Sequence, residues 1–389
     1  MRFMKKNKQN IGMFVLGSFL FGILSLLFYH QAVSETGNYA SDLPAHIQIA
    51  VEHRGYSFLY WVLGVVYGLF GYLGVAFFES AIVLCTWMIT VIFLKQLTGN
   101  KGTNREYYAA YFLLFLTSIY IPGIYEWFYL RTVITQPWHN ITYFGMRFFA
   151  VWTMFCFGKI YESYLFGLRI SEWLSVAGPL LFATAVKPNF LLSFSFALLL
   201  ILIRDGYRQI CQGVSFLVLR NIVLLGMTVL PSCLVLYIQS LILYPRGQNG
   251  GEHGIALIWG EKFVQFGLLP TVLKCMCGLS FPLLVWIYHK KTAPFGRFIY
   301  LMYAVTLLQT AMLSETGERE NYGNFYWGLY NSAYILFAFC LSVFMKDGYE
   351  KQRKKGGIYF GIGILLLLGH VLSGFYYFSV LFMGEGYGI

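Results

Sequence analysis

Asp42 and His46 are the two side chains whose types and spacing most directly suggest chemistry. The run Ser41-Asp42-Leu43-Pro44 is typical of a helix start, because Asp favours the capping position and Pro fits the first turn. Residues four apart then lie on one face of that helix. A carboxylate beside an imidazole can act as a general base with its partner, or the two can bind a divalent cation. The other interpretation is that Asp42 only caps the helix.

Two further segments place polar groups next to aromatic rings or at a helix break. Arg131 and the neighbours His139 and Asn140 precede an apolar stretch, and both neighbours need hydrogen-bond partners. A polar substrate would supply these partners, and so would a network within the protein. Lys187 precedes Pro188 between two short apolar stretches, where its ammonium can bind the phosphate of a lipid carrier or simply extend to the membrane interface.

The segment 314–328 combines charged, carboxamide and aromatic residues. It contains Glu318 and Arg319, followed by Asn324 and Trp327. Aromatic faces and carboxamides together are the usual lining of a site for a sugar or a lipid headgroup. An aromatic belt with a surface ion pair would explain the same residues without a ligand, so both interpretations stay open.

The composition indicates that the elements positioning these residues lie in lipid. Apolar residues make up 58% of the chain and charged residues 12%, whereas soluble domains carry about 25% charged residues. The net charge of +11 does not indicate nucleic-acid binding, because the Lys and Arg residues form short runs between apolar stretches. The seven cysteines lie in apolar segments or on predicted cytoplasmic loops, so no disulfide is predicted.

The pattern of apolar stretches predicts eleven transmembrane helices, since about 20 apolar residues cross a bilayer. The chain is therefore expected to be one all-α integral membrane domain over residues 1–389, without a separate soluble domain. The first stretch follows a basic amino terminus and is long enough to be a retained anchor instead of a cleaved signal peptide. The predicted spans are 11–30, 73–95, 107–124, 141–158, 173–187, 190–203, 221–243, 267–288, 298–313, 327–345 and 358–380.

The distribution of positive charge predicts the orientation of these spans. With the amino terminus in the cytoplasm and the carboxyl terminus outside, about 20 of the 28 Lys and Arg residues lie on the inner side. The stretch Gly55–Phe70 is apolar enough to enter the membrane, but a crossing there would move Lys95–Arg105 outside. We therefore expect residues 31–72 to form the first outer loop, with juxtamembrane helices, and the candidate site residues to share the outer side.

Several enzyme and transporter classes are excluded by the motifs that the sequence lacks. It contains no Gly-rich phosphate loop and no Ser-His-Asp, His-Glu-x-x-His or Cys-x-x-Cys pattern. ATP-driven pumps, serine hydrolases and zinc peptidases of the familiar kinds are therefore not expected.

The architecture resembles the polytopic C-type (GT-C) glycosyltransferases. The features that carry the resemblance are the cytoplasmic start, the single span, the acidic residue early in the first outer loop and the juxtamembrane segment Gly55-Tyr-Ser-Phe-Leu-Tyr-Trp. They cover residues 1–100, and the rest is similar only in its number of spans and its polar outer loops. In that family an Asp or Glu of the first outer loop is catalytic or metal-associated, and Asp42 matches it. Many members carry two adjacent acids or Asp-x-Asp there, whereas a single Asp followed by His46 leaves the metal requirement open.

The resemblance implies transfer of a sugar from a polyprenyl-phosphate-linked donor to a glycolipid or surface polysaccharide, on the outer face of a bacterial plasma membrane. Asp42 would be the base, with His46 orienting it or sharing a divalent cation. The expected substrate-binding residues are Arg131, His139, Asn140, Lys187, Glu318, Arg319, Asn324 and Trp327. A polysaccharide polymerase or ligase is an alternative with the same donor. A flippase of lipid-linked sugars is another, but it should place ionisable residues or broken helices in mid-membrane, whereas we expect charges at the span ends.

Overall fold

In the computed structural model, most of the chain is helical. The described residues are 2–34, 39, 41–53, 55–99, 104–121, 138–213, 216–243, 254–258, 260, 267–289, 293–316, 323–350 and 357–384. The helices are α1 Arg2–Val33, α2 Leu43–Val51, α3 Phe58–Thr98, α4 Arg105–Leu114, α5 Ile141–Ile160, α6 Ile170–Val186, α7 Asn189–Cys211, α8 Phe216–Gly226, α9 Leu230–Leu243, α10 Leu268–Tyr288, α11 Pro294–Met312, α12 Tyr326–Glu350 and α13 Gly357–Phe382. A 3-10 turn, Met227–Val229, joins α8 to α9, and two short strands are β1 Ile255–Leu257 and β2 Leu313–Glu315.

Eight helices in the described part of the chain are long and apolar enough to cross a membrane. The eight candidate segments are Ile11–Val33, Phe58–Thr98, Ile141–Ile160, Asn189–Cys211, Phe216–Ile242, Leu269–Tyr288, Tyr326–Asp347 and Gly357–Phe382. Many large apolar side chains on them are exposed, which suits contact with lipid. The prediction of an all-α, multi-pass membrane protein is confirmed at this level.

Helix α3 is interrupted at Gly71. This residue has φ 60° and ψ −155°, in a region that residues with a Cβ rarely adopt. The part before the break packs against α2, where a Cβ at Gly64 would lie 2.9 Å from the carbonyl oxygen of Ala50. The break falls at the boundary between the predicted juxtamembrane helix and the predicted span 73–95.

The predicted span 107–124 is wrong as a continuous helix. Helix α4 ends at Leu114, and residues 116–121 are not helical. The chain passes so close to α13 that a Cβ at Gly374 would lie 1.4 Å from the carbonyl oxygen of Phe115. Periodicity could not reveal this course, since it depends on a glycine more than 250 residues along the chain.

Side chains of α13 and α10 satisfy the backbone of this irregular segment. His370 Nδ1 donates to the carbonyl oxygen of Thr117 at 2.7 Å, and its other ring nitrogen contacts Ser280 Oγ at 3.0 Å. The Tyr120 N–H donates to Ser373 Oγ at 2.9 Å. Non-helical backbone is tolerated inside a membrane protein where protein groups replace the missing helix bonds. We call His370, Thr117 and Ser280 the His370 bridge.

Two local features that matter for the site lie near Lys187 and Glu315. Helix α6 ends at Val186 and α7 begins at Asn189, with Lys187 extended at φ −159° and ψ 124°, so a short connection separates two helices. Strands β1 and β2 pair antiparallel, with Ile255 opposite Glu315. These two strands were not predicted from the sequence.

The expectation that charges lie only at span ends is wrong for Glu79 and Arg147. Their exposed fractions are 0% and 1%, and they lie within candidate spans of α3 and α5. The Glu79 carboxyl oxygens have no hydrogen-bond partner within the described part of the chain. The Arg147 guanidinium lies over the rings of Tyr143 and Tyr334, 4.3 and 4.7 Å from their centroids. Aromatic faces thus contact the Arg147 guanidinium, which would be solvated by water on a protein surface.

Candidate functional site

Three connections between helices bring the predicted site residues together at one end of the bundle. The start of α2 carries Asp42 and His46, the turn before α5 carries His139 and Asn140, and Lys187 follows α6. We call these five residues the Asp42 cluster. Residues from distant parts of the sequence meet here because the helices that carry them pack against one another.

Asp42 occupies the position before α2, but its side chain makes no capping hydrogen bond. The Leu43 N–H instead donates to Ser41 Oγ at 3.0 Å. The interpretation that Asp42 only caps the helix is therefore wrong. Its carboxylate is available for other contacts, and 49% of the side chain is exposed.

Asn140 connects Asp42 to His46. Its Oδ1 accepts from the Tyr143 N–H at 2.9 Å and from the Thr142 hydroxyl at 2.7 Å, which caps α5 and fixes the orientation of the amide. Its Nδ2 then donates to Asp42 Oδ2 at 3.0 Å and to His46 Nε2 at 3.2 Å. These bonds occupy the amide within the protein, so Asn140 positions the cluster; the predicted substrate contact stays a prediction.

The orientation of Asn140 determines the tautomer of His46. Because Nε2 accepts from an amide N–H, the ring proton lies on Nδ1, which contacts the Tyr60 hydroxyl at 2.8 Å. Burial lowers the pKa of His46 to about 4, despite the attraction of Asp42 for the protonated form. The imidazole is neutral near pH 7 and holds its place through two hydrogen bonds.

His139 contacts the Asp42 carboxylate directly, whereas His46 is joined to it through Asn140. His139 Nε2 lies 3.8 Å from Asp42 Oδ2, and burial lowers the pKa of His139 to about 4. Partial burial acts to raise the pKa of Asp42, but the net shift is downward because the protonated forms of His139 and His46, the Asn140 amide and the Lys187 ammonium favour the carboxylate. The result is an ionised, half-exposed carboxylate beside two neutral imidazoles.

Lys187 brings a buried positive charge to the same place. Its side chain is 5% exposed, and Nζ donates to Thr142 Oγ1 at 3.3 Å. Nζ also lies 4.5 Å from the ring centroid of Trp327, whose ring is 5.6 Å from His139. Lys187, Thr142 and Asn140 thus form a hydrogen-bonded path from the ammonium to Asp42.

A cavity of about 430 Å³ adjoins the cluster at Lys187. One wall is polar: Asn324 Nδ2 donates to Glu315 Oε2, and Asn189 Nδ2 donates to the Asn324 carbonyl at 2.7 Å. The remaining lining is largely apolar and includes Leu192, Leu236, Tyr237 and Phe325. This size is within the range of small-molecule sites, and the two kinds of wall suit an amphipathic ligand.

The structure tests the placement of most predicted site residues. It brings Asp42, His46, His139, Asn140, Lys187 and Trp327 together, and it places Asn324 in the wall of the adjoining cavity. The predictions for Arg131, Glu318 and Arg319 lie outside the described residues. Sequence reasoning missed Glu315 and Thr142. Glu315 belongs to the segment 314–328, and Thr142 follows Asn140 by two residues, so the sequence alone could have indicated both.

The divalent cation predicted at Asp42 and His46 stays a prediction, and the hydrogen bonds of both residues argue against it. In the described ranges, no group of three or more His, Cys, Asp or Glu residues is placed to hold a metal ion. The lone pairs that would bind a cation, on Asp42 Oδ2 and His46 Nε2, instead accept from the Asn140 amide. A positively polarised N–H group thus occupies the position between the two residues.

Comparisons of the chain with family models, curated proteins and solved structures found no match. Function is therefore inferred from the chemistry of the site itself.

Proposed function

We propose that the protein is a membrane glycosyltransferase of the GT-C type. It would move a sugar from a polyprenyl-phosphate-linked donor to a hydroxyl group of a glycolipid or surface polysaccharide, on the outer face of the membrane. The main support is the ionised, half-exposed Asp42 beside Lys187, which itself lines an amphipathic cavity. A base, a cation for phosphate and space for a lipid-linked ligand are thus adjacent.

In the proposed reaction, the acceptor oxygen attacks the anomeric carbon of the donor sugar. The bond from that carbon to the phosphate oxygen breaks, and the bonding electrons leave with the phosphate. Asp42 accepts the proton of the acceptor hydroxyl, while Lys187 stabilises the negative charge of the departing phosphate. No acid is needed for this leaving group, which agrees with two imidazoles that are neutral near pH 7.

The cavity suggests how the donor would lie. Its phosphate would be at Lys187, and its sugar hydroxyls would reach the polar wall of Asn189, Glu315 and Asn324. The first part of the lipid chain would follow the apolar side at Leu192 and Leu236. Arg131 and Arg319 remain predicted additional cations, and a polymerase or ligase would use the same groups with a longer acceptor.

Transport of lipid-linked sugars is the second candidate. Glu79 and Arg147 lie buried within candidate spans, and α3 is broken at Gly71. Ionisable residues and discontinuous helices at this depth are characteristic of transport pathways. The half-exposed carboxylate of Asp42, outside the spans, favours the transferase.

The decisive experiment measures sugar transfer by the purified protein from a polyprenyl-phosphate-linked sugar to candidate acceptors. Asp42→Asn keeps the hydrogen bond from Asn140 but removes the base, so we expect the rate to fall about 10²- to 10⁴-fold. The matched control is Glu52→Gln, which removes an exposed carboxylate beside the same helix and should leave the rate unchanged.

Full activity of a folded Asp42→Asn protein would remove Asp42 from the role of base. Movement of a fluorescent lipid-linked sugar across proteoliposomes, without any transfer, would support the transport alternative.

A further inference from the structure

Arg147 is a buried charge that the proposed reaction does not use. It lies six residues after the start of α5, about 9 Å along the helix from Ile141. Its side chain is 1% exposed. The chain could have placed an apolar residue at this depth, so the contacts of the guanidinium indicate what it contributes.

Those contacts form a continuous stack that ends in the Asp42 cluster. The guanidinium lies over the rings of both Tyr334 and Tyr143. The Tyr143 ring is 5.4 Å from that of Trp327, and Lys187 Nζ lies over the Trp327 ring. We call Tyr334, Arg147, Tyr143, Trp327 and Lys187 the cation–aromatic stack.

The stack joins α5 to α12 and leads to Lys187 of the Asp42 cluster. Arg147 and Tyr143 belong to α5, while Trp327 and Tyr334 belong to α12. The Tyr334 hydroxyl is held at Thr90 Oγ1, 2.9 Å away on α3. A planar guanidinium can lie flat on a ring, which a lysine ammonium cannot reproduce. Arg147 therefore orients Tyr143, and through it Trp327, the ring on which both Lys187 and His139 rest.

We infer that Arg147 is a positioning residue for an anion site at Lys187. It fixes the Trp327 ring so that the Lys187 ammonium is presented to the phosphate of an anionic lipid headgroup. The identity of that ligand depends on the proposed function, whereas the positioning of Trp327 does not.

The first test follows Trp327 directly, without any activity. The protein has nine tryptophans, which are labelled with 5-fluorotryptophan, and the ¹⁹F resonance of Trp327 is assigned by its loss in Trp327→Phe. We expect Arg147→Met to shift or broaden this resonance, and Arg147→Lys to do so less, while the other eight stay in place. Lys159→Met is the matched control, since it removes another cation from an aromatic ring on the same helix.

The second test measures kinetics with a polyprenyl-phosphate-linked sugar. We expect Arg147→Lys to raise the donor KM and also to lower kcat, for a loss of about tenfold in kcat/KM, because the Lys187 ammonium both binds the donor phosphate and stabilises it as it departs. A merely structural role would lower the amount of folded protein and leave the KM unchanged.

An unchanged Trp327 resonance in Arg147→Lys, with the other eight also unchanged, would overturn the inference, and this variant decides the matter if Arg147→Met does not fold. If the wild-type protein transfers no sugar, the proposed function fails, but the resonance experiment still decides the role of Arg147.

Discussion

The Asp42 cluster and the His370 bridge both contain buried histidines, and they differ in what surrounds the rings. His370 has an exposed fraction of 0% and contacts a carbonyl oxygen and a hydroxyl, both uncharged. His46 and His139 are nearly as buried, yet they flank a carboxylate that is 49% exposed and lie near a buried lysine. The contacts of His370 are buried and uncharged, whereas those of His46 and His139 include charged groups and a carboxylate that is exposed to the exterior.

The difference shows which buried histidines are candidates for chemistry. The His370 bridge satisfies the backbone of a segment that is not helical, so its hydrogen bonds explain its presence completely. The Asp42 cluster leaves an ionised group facing the exterior, beside a cation and a cavity. Shifted pKa values combined with access to a ligand are typical of functional sites.

After the loss of the base in Asp42→Asn, removing the cation of the Asp42 cluster should have the largest effect on activity. We expect Lys187→Met to lower kcat/KM for the lipid-linked donor about 100-fold, equivalent to about 2.7 kcal/mol, because the departing phosphate loses its stabilising charge. Steady-state assays of sugar transfer measure this, and Lys187→Arg should retain part of the activity. If Lys187→Met were folded and fully active, Lys187 would be as purely structural as His370.

Removing the ring of the His370 bridge should affect stability and not catalysis. His370→Ala leaves the Thr117 carbonyl and the Ser280 hydroxyl without the ring, which costs about 2 kcal/mol. Thermal unfolding in detergent should show a lower Tm, while kcat per folded molecule stays unchanged. A lower kcat at an unchanged Tm would contradict the comparison, since it would place His370 in the reaction.

The smallest expected effect is that of mild acid on transfer. Because the pKa values of His46 and His139 are lowered to about 4, both rings remain neutral at pH 5.5. The rate should change little between pH 7.5 and 5.5, whereas an ordinary histidine pKa of about 6.5 would lower it about tenfold. A pH–rate profile distinguishes the two outcomes.

The same lowered pKa values predict that mild acid reduces the stability of the protein, although it should leave the rate of transfer nearly unchanged. The unfolded chain binds protons at its histidines below about pH 6.5, before the folded protein does. The free energy of unfolding should therefore decrease as the pH falls from about 6.5 towards 4, and stay constant above this range. Constant stability down to pH 4 would show that His46 and His139 are not buried as described.

The sequence predicted those features that depend on local composition. Long apolar stretches account for helices such as α1, α7 and α13, because their length and apolarity suffice for a membrane span. The charge pattern around Lys95–Arg105 required a division of the segment 55–95, and α3 is indeed broken at Gly71. Asp42, His139 and Lys187 could be selected because polar groups are rare in this composition.

The tertiary structure alone decided which of these groups act on one another. The role of Asn140 depends on hydrogen bonds to Asp42, nearly 100 residues earlier, and the course of residues 116–121 depends on Gly374 and His370. Periodicity records only which face of a helix is apolar and carries no information on which distant helix that face meets. Composition and spacing therefore determined that this protein is a bundle of membrane helices, while packing determined that a carboxylate, two imidazoles and a lysine lie together in one cluster.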